Sequence, residues 1–132
     1  MFKKTKLIRL GCLAACLIIA FCAASYFIRL GHYKKAVADM TFTPIDLTQI
    51  EDGTYTGSCD VDFVAAKVEV TVKDHVITSI NLLEHRTEKG LPAEAIINTI
   101  SQKQTTDVDT ISGATNSSKV IKKSIENALL SH

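Results

Sequence analysis

An uncharged run of nineteen residues near the N-terminus most constrains how this chain can fold. The run extends from Leu10 to Ile28 and Arg29 follows it directly. As an α-helix it would be about 28 Å long, which is close to the hydrocarbon thickness of a bilayer. The sequence therefore predicts a single transmembrane helix, with residues 1–30 as a membrane anchor.

Two alternatives to an uncleaved anchor stay open. One is a cleaved signal peptide, although the apolar run is longer than the usual apolar region and continues past Ala23-Ala24-Ser25. The other is a lipoprotein signal, since Leu13-Ala14-Ala15-Cys16 is similar to a lipobox. The uncleaved anchor is favoured because apolar residues continue beyond both points.

Charge is distributed unevenly along the chain. Residues 1–44 carry seven basic residues and one acidic residue, a net charge of +6, whereas residues 45–132 carry eight basic and thirteen acidic residues, a net charge of −5. The basic excess beside the apolar run indicates a lipid bilayer as partner. The acidic remainder argues against nucleic acid, because binding phosphates requires clustered Lys and Arg. Four basic residues precede the span and three follow it, so the positive-inside rule places the soluble part outside the cytoplasm.

Residues 31–49 are predicted to be a linker or stalk, and residues 50–132 a folded module. The helix can continue over Ala36 to Phe42 as a short stalk until Pro44 ends it. Cys59 is the one cysteine of the module, so no internal disulfide is possible there, and we expect a half-buried small residue. No two of the four histidines have metal-ligand spacing, and we expect no metal site.

Alternating residues predict an antiparallel hairpin within the module. A first strand carries four apolar residues on one side (Ala66, Val68, Val70, Val72), and a second runs from Val76 to Leu83. A two-residue loop would pair Val72 with Ile77, whereas a three-residue loop over Lys73 to His75 would pair it with Val76. We predict the three-residue loop, because it keeps one apolar face intact and gives His75 left-handed geometry. A short strand over Thr54 to Gly57 precedes the hairpin.

Helical patterns follow the hairpin. A solvated loop is expected from His85 to Gly90, then a helix that begins at Pro92 and runs to Ile100. The last helix is predicted from about Ser117 to Leu130. One of its faces is apolar (Val120, Ile121, Ile125, Ala128, Leu129) and the opposite face is charged (Lys119, Lys122, Lys123, Glu126). This order predicts a small α+β domain, an antiparallel sheet with helices on one face.

The stretch before the last helix has the composition of an anion site. Gly113 permits a sharp turn, and hydroxyls surround it at Ser112, Thr115, Ser117 and Ser118. The free N–H groups and the dipole at a helix start favour an anion, and Ser117 or Ser118 is expected to cap the helix. A phosphate-sized anion near Thr115 is therefore predicted, and an ordinary loop with a capped helix is the alternative.

The pattern Asp109-x-x-Ser112-Gly113-Ala114-Thr115, followed by a serine pair and an amphipathic helix, resembles the flavinylation motif of the FMN-binding domain family. The strand at Gly53–Gly57, the hairpin and Gly90-Leu91 follow the family's order, so the resemblance covers about residues 50–130. It implies that Thr115 accepts a phosphoester bond to FMN, which a flavin transferase installs from FAD.

The same resemblance implies roles for the other motif residues. Ser112 would contact the phosphate, Gly113 and Ala114 would keep the loop slim, and Asp109 would brace the turn, while Ser117 and Ser118 would cap the helix or contact phosphate. The protein would be a carrier in a bacterial cell membrane that passes electrons from a membrane redox donor to an external acceptor, rather than a stand-alone enzyme. Noncovalent FMN and a non-redox, membrane-tethered anion- or protein-binding module remain the alternatives.

Overall fold

The computed structural model describes residues 2–131 and divides the chain into two compact units, Met1–Lys34 and Lys35–His132. The division falls inside the stretch that the sequence assigns to a linker. A single long helix, α1, runs over Phe2–Ala38 and includes the whole of the uncharged run. Its large apolar side chains are exposed, and the helix is long and apolar enough to cross a membrane. The predicted stalk is helical only as far as Ala38.

The second unit is built on a three-stranded antiparallel sheet. Its strands are β1 (Gly53–Asp60), β2 (Ala65–Lys73) and β3 (Val76–Arg86), with β2 in the centre. Two helices follow, α2 (Ile96–Lys103) and α3 (Thr115–Leu130). A short 3-10 helix at Leu91–Ala95 leads into α2, so the helix expected from Pro92 is 3-10 in its first turn. This arrangement confirms the predicted α+β fold.

The core lies between the sheet and α3. Every second residue of β2 is buried, and so is the predicted apolar face of α3. Gly57 on β1 brings strand and helix into backbone contact, because a Cβ there would lie 2.2 Å from both Ser124 O and Ala128 N. The α3 helix therefore sits directly on the sheet, which fixes where its first turn projects.

The predicted hairpin register is wrong. The turn is the two-residue one, Asp74-His75, which pairs Lys73 with Val76 and Val72 with Ile77. Both turn residues have positive φ, 51° and 62°, so the loop has the backbone pattern of a type I′ turn and His75 is left-handed as expected.

Two register shifts restore the apolar face. They leave Thr78 and Leu83 as extra residues on β3, so that Val70 pairs with Ile80 and Val68 with Leu82. Bulges of this kind change which face the following side chains occupy. A regular hairpin needs the three-residue loop to keep the apolar face, whereas the two bulges keep it with a two-residue loop.

Within the second unit, residues 41–50, here called the strap, contact α3 and the hairpin turn. Lys123 Nζ donates to Thr41 O at 2.8 Å, and Thr43 N–H donates to Glu126 Oε2 at 3.0 Å. The ring of Phe42 lies 4.7 Å from Lys122 Nζ. Lys122 and Glu126, two residues of the helix face predicted to be charged, are therefore buried.

Candidate functional site

The motif turn is open on its outer side. Ala114 N–H donates to Ile111 O at 3.0 Å, and Gly113 has φ +78°, the pattern of a type II turn with glycine at its third position. A Cβ at Gly113 would meet no atom within 4 Å. Glycine is thus required here by the backbone conformation, and the space beside it is free for a ligand or an enzyme.

Ser118 braces this turn from inside. Its fully buried Oγ accepts from Ile111 N–H at 3.0 Å and donates to Ala114 O at 2.8 Å. The prediction that Asp109 braces the turn is wrong, since within residues 2–131 its exposed carboxylate makes no hydrogen bond. One hydroxyl therefore joins the two ends of the turn to the first turns of α3.

The helix begins earlier than predicted, and this changes the serine roles. Thr115 is the first residue of α3, and the N-cap is Ala114, which has no side chain able to cap. The prediction that Ser117 or Ser118 caps the helix is therefore wrong. The N–H groups of a first helical turn have no partner within the helix. Ala114 at the N-cap has no side-chain oxygen that could accept from them.

Thr115 and Ser112 are the accessible hydroxyls of the motif. Both residues are exposed, and neither side chain has a hydrogen-bond partner within the part of the chain that the structure describes. Lys119 follows Thr115 by four residues, so both lie on one face of α3. A phosphate at Thr115 would meet the N–H groups of the first helical turn, a hydroxyl and a nearby cation, and this donor set suits the phosphate of FMN.

Ser117 connects the motif helix to the loop before the 3-10 helix. Its buried Oγ lies 2.9 Å from Thr87 Oγ1, which also accepts from Gly90 N–H at 2.9 Å. A Cβ at Gly90 would lie 1.9 Å from Ser117 Oγ, so only glycine fits against α3 here. Thr87 was not singled out from the sequence, because its contact joins residues thirty positions apart.

His85 is also placed differently from the prediction. Strand β3 continues to Arg86, and the side chain of His85 is only 3% exposed, rather than lying in a solvated loop. Its Nδ1 lies 3.0 Å from Glu94 Oε1 on the 3-10 helix. The bulge at Leu83 causes the difference, since it places His85 on the covered face, opposite Ala66.

Metal binding and thiol chemistry are the other kinds of chemistry that the sequence raises. Among residues 2–131 no group of three or more His, Cys, Asp or Glu side chains could hold a metal ion. Cys59 is half-buried as predicted, and burial raises the pKa of its thiol. The thiolate is the nucleophilic form, so this cysteine is not poised for reaction at neutral pH.

Comparison with known proteins identifies the domain. The model of the FMN-binding domain family matches residues 65–130, half of the chain. Searches of curated proteins and of solved structures found no match. The matched region begins at β2 and includes the open turn and all of α3. The chain therefore belongs to the FMN-binding domain family, and FMN is its cofactor.

Proposed function

We propose that this protein is a membrane-anchored electron carrier whose FMN is attached through its phosphate to Thr115. The observation that carries the proposal is the exposed Thr115 hydroxyl in the first turn of α3, directly after an open glycine turn. Membership of the FMN-binding domain family supports the cofactor. The covalent bond is our inference from the motif and from the access to this hydroxyl.

The residues around Thr115 would bind and orient the phosphate. The N–H groups at the start of α3 and the helix dipole favour its negative charge, and Ser112 and Lys119 add a hydroxyl and a cation. Leu91 is 66% exposed next to Gly90, which contacts Ser117, so it offers the flavin ring an apolar surface near the helix start. Once bound, the flavin supplies the one- and two-electron chemistry.

A separate flavin transferase suits this geometry. Within residues 2–131 no imidazole or carboxylate is hydrogen-bonded to the Thr115 hydroxyl, so none of these residues is placed as a base that would activate it. The open space beside Gly113 gives an enzyme access to the acceptor. We therefore infer that the transferase activates Thr115 and uses FAD as the donor.

The carrier would be held at a membrane by its N-terminal helix. Helix α1 is the anchor in a bacterial cell membrane, and the charge bias around it favours a domain outside the cytoplasm. The carrier would then take electrons from a membrane redox donor and pass them to an external acceptor. Its fold would supply the attachment and orientation of the flavin, and the flavin would supply the redox chemistry.

The test is to produce the full chain with and without a flavin transferase and to record its visible spectrum. We expect a yellow protein that dithionite bleaches, and colour that stays with the protein after denaturing filtration. Thr115→Ala should remove the bound colour, whereas Thr110→Ala, on the same loop but outside the turn, should keep it.

The other outcomes separate the alternatives. Colour that passes into the denaturing filtrate would indicate noncovalent FMN at the same loop. A colourless protein purified from its native host would contradict the carrier and favour a non-redox binding module.

A further inference from the structure

His85 carries the one buried side-chain nitrogen or oxygen atom, among those of residues 2–131, that has no hydrogen-bond partner. The atom is Nε2, and the whole side chain is 3% exposed. Nearly all buried polar atoms in proteins are hydrogen-bonded, so an exception at a functional region calls for a physical explanation. A buried nitrogen left unpaired has lost its hydrogen bonds to water without a replacement, and this destabilises the fold.

The other nitrogen of this ring is held in place. Glu94 Oε1 lies 3.0 Å from Nδ1, and this carboxylate is 44% exposed. Because a carboxylate accepts, Nδ1 carries the proton of the neutral ring, and Nε2 presents its lone pair, or an N–H when the imidazole is charged. Glu94 thus fixes the orientation of the imidazole and leaves Nε2 for another partner.

His85 lies on the same side of the domain as the start of α3. Thr87 follows it by two residues, about 6.6 Å along an extended chain, and contacts Ser117 in the first turn of α3 through their hydroxyls. The 3-10 helix that carries Glu94 also packs on α3. A group attached to Thr115 therefore begins close to the segment that follows His85.

We propose that His85 positions the flavin ring: its Nε2 hydrogen-bonds a polar edge of the isoalloxazine of the FMN at the start of α3, while Glu94 holds the imidazole through Nδ1. This inference rests on the proposed function. Since Nε2 is enclosed by atoms of the chain, the ring reaches it only when some of the atoms that cover it move aside.

Two variants separate the roles of the two ring nitrogens. The amide of His85→Asn reaches the place of Nδ1 and keeps a donor for Glu94 but leaves the place of Nε2 empty. The amide of His85→Gln reaches the place of Nε2 and gives up the Glu94 contact. Both are made in the full chain with the transferase, and flavin content is measured by intact mass.

The readout is the flavin itself. In His85→Asn we expect a shifted visible spectrum and a change of about tenfold in the ratio of reduced to oxidised flavin at a fixed potential, as for the loss of one buried hydrogen bond. His85→Gln should stay close to the wild type in both. Identical spectra and ratios in all three flavinylated proteins would overturn the proposal.

Nitrogen NMR of the imidazole keeps the proposal testable even if a variant fails to fold. The Nε2 resonance should differ between the flavinylated wild type and the unflavinylated Thr115→Ala protein, while Nδ1 changes little. An unchanged Nε2 resonance would contradict the contact with the ring. A wild type that carries no flavin would instead refute the proposed function, so the two failures are distinguishable.

Discussion

At the scale of single residues, hydroxyls of the same motif have separate tasks. Ser118 is fully buried and joins both ends of the turn, whereas Thr115 and Ser112 are exposed and their side chains have no hydrogen-bond partner among residues 2–131. The motif therefore combines a rigid support with an accessible acceptor. The spacing of these residues in the sequence assigns them to one motif. Their burial and contacts in the structure distinguish their roles.

Ser118→Ala should destabilise the domain. It leaves the Ile111 N–H without its partner and removes the bond to Ala114 O, at a cost of about 1–3 kcal/mol. The better helix propensity of alanine offsets about 0.5 kcal/mol of this. Urea unfolding of the unflavinylated protein measures the change, with Ser101→Ala, whose hydroxyl makes no described hydrogen bond, as control. Equal stability of the two variants would show that the turn does not depend on Ser118.

At the scale of elements, the free edge of the sheet at β3 is partly covered by a side chain. Gln104 follows α2 in left-handed geometry, φ 56°. Its Oε1 accepts from Ile77 N–H at 2.7 Å and its Nε2 donates to Ile77 O at 3.0 Å. The amide thus pairs with Ile77 as a neighbouring strand would, and blunts an edge that could otherwise pair with another chain.

Gln104→Ala should therefore cost about 1–2 kcal/mol, since both of its bonds to Ile77 are lost. Hydrogen exchange should also become faster at the amide of Ile77, which loses its partner. Gln102→Ala, at an exposed position of α2, serves as the matched control and should change neither quantity. Unchanged exchange at Ile77 in Gln104→Ala would contradict the edge role.

Patterns along the chain predicted the strands, the core face of α3 and the α+β class, because each depends on local periodicity. The register of β2 and β3 depended instead on two bulges, and periodicity cannot place an extra residue. For the same reason the burial of His85 could not be predicted, since it follows from the bulge at Leu83. The start of α3 was misplaced because Ala114 has no capping side chain that would mark it.

At the scale of the whole molecule, the compact second unit begins at Lys35, before the module boundary expected at Ile50. The strap provides the contacts that the sequence could not reveal, since its partners lie far along the chain. Thr43 reaches Glu126 across 83 positions, and His75 Nδ1 lies 3.0 Å from Leu47 O. His75 therefore occupies a left-handed turn position and also holds the strap.

A protein of residues 41–132 should be more stable than one of residues 50–132, which lacks all of the strap except Ile50. Removal of the strap leaves Glu126, only 3% exposed as a side chain, without the Thr43 N–H, and uncovers Lys122. We expect the longer protein to unfold at a higher urea concentration, with a free energy of unfolding larger by about 1–3 kcal/mol. Matching urea midpoints would show that the strap contributes nothing to the fold.

The central claim is that Thr115 carries the flavin, and peptide mapping tests it most directly. Trypsin releases residues 104–119 as one peptide between Lys103 and Lys119, which contains every hydroxyl of the motif up to Ser118. Tandem mass spectrometry of this peptide, from the full chain made beside an active flavin transferase, should place FMN minus water on Thr115. An unmodified peptide, or the added mass on another residue, would contradict the account.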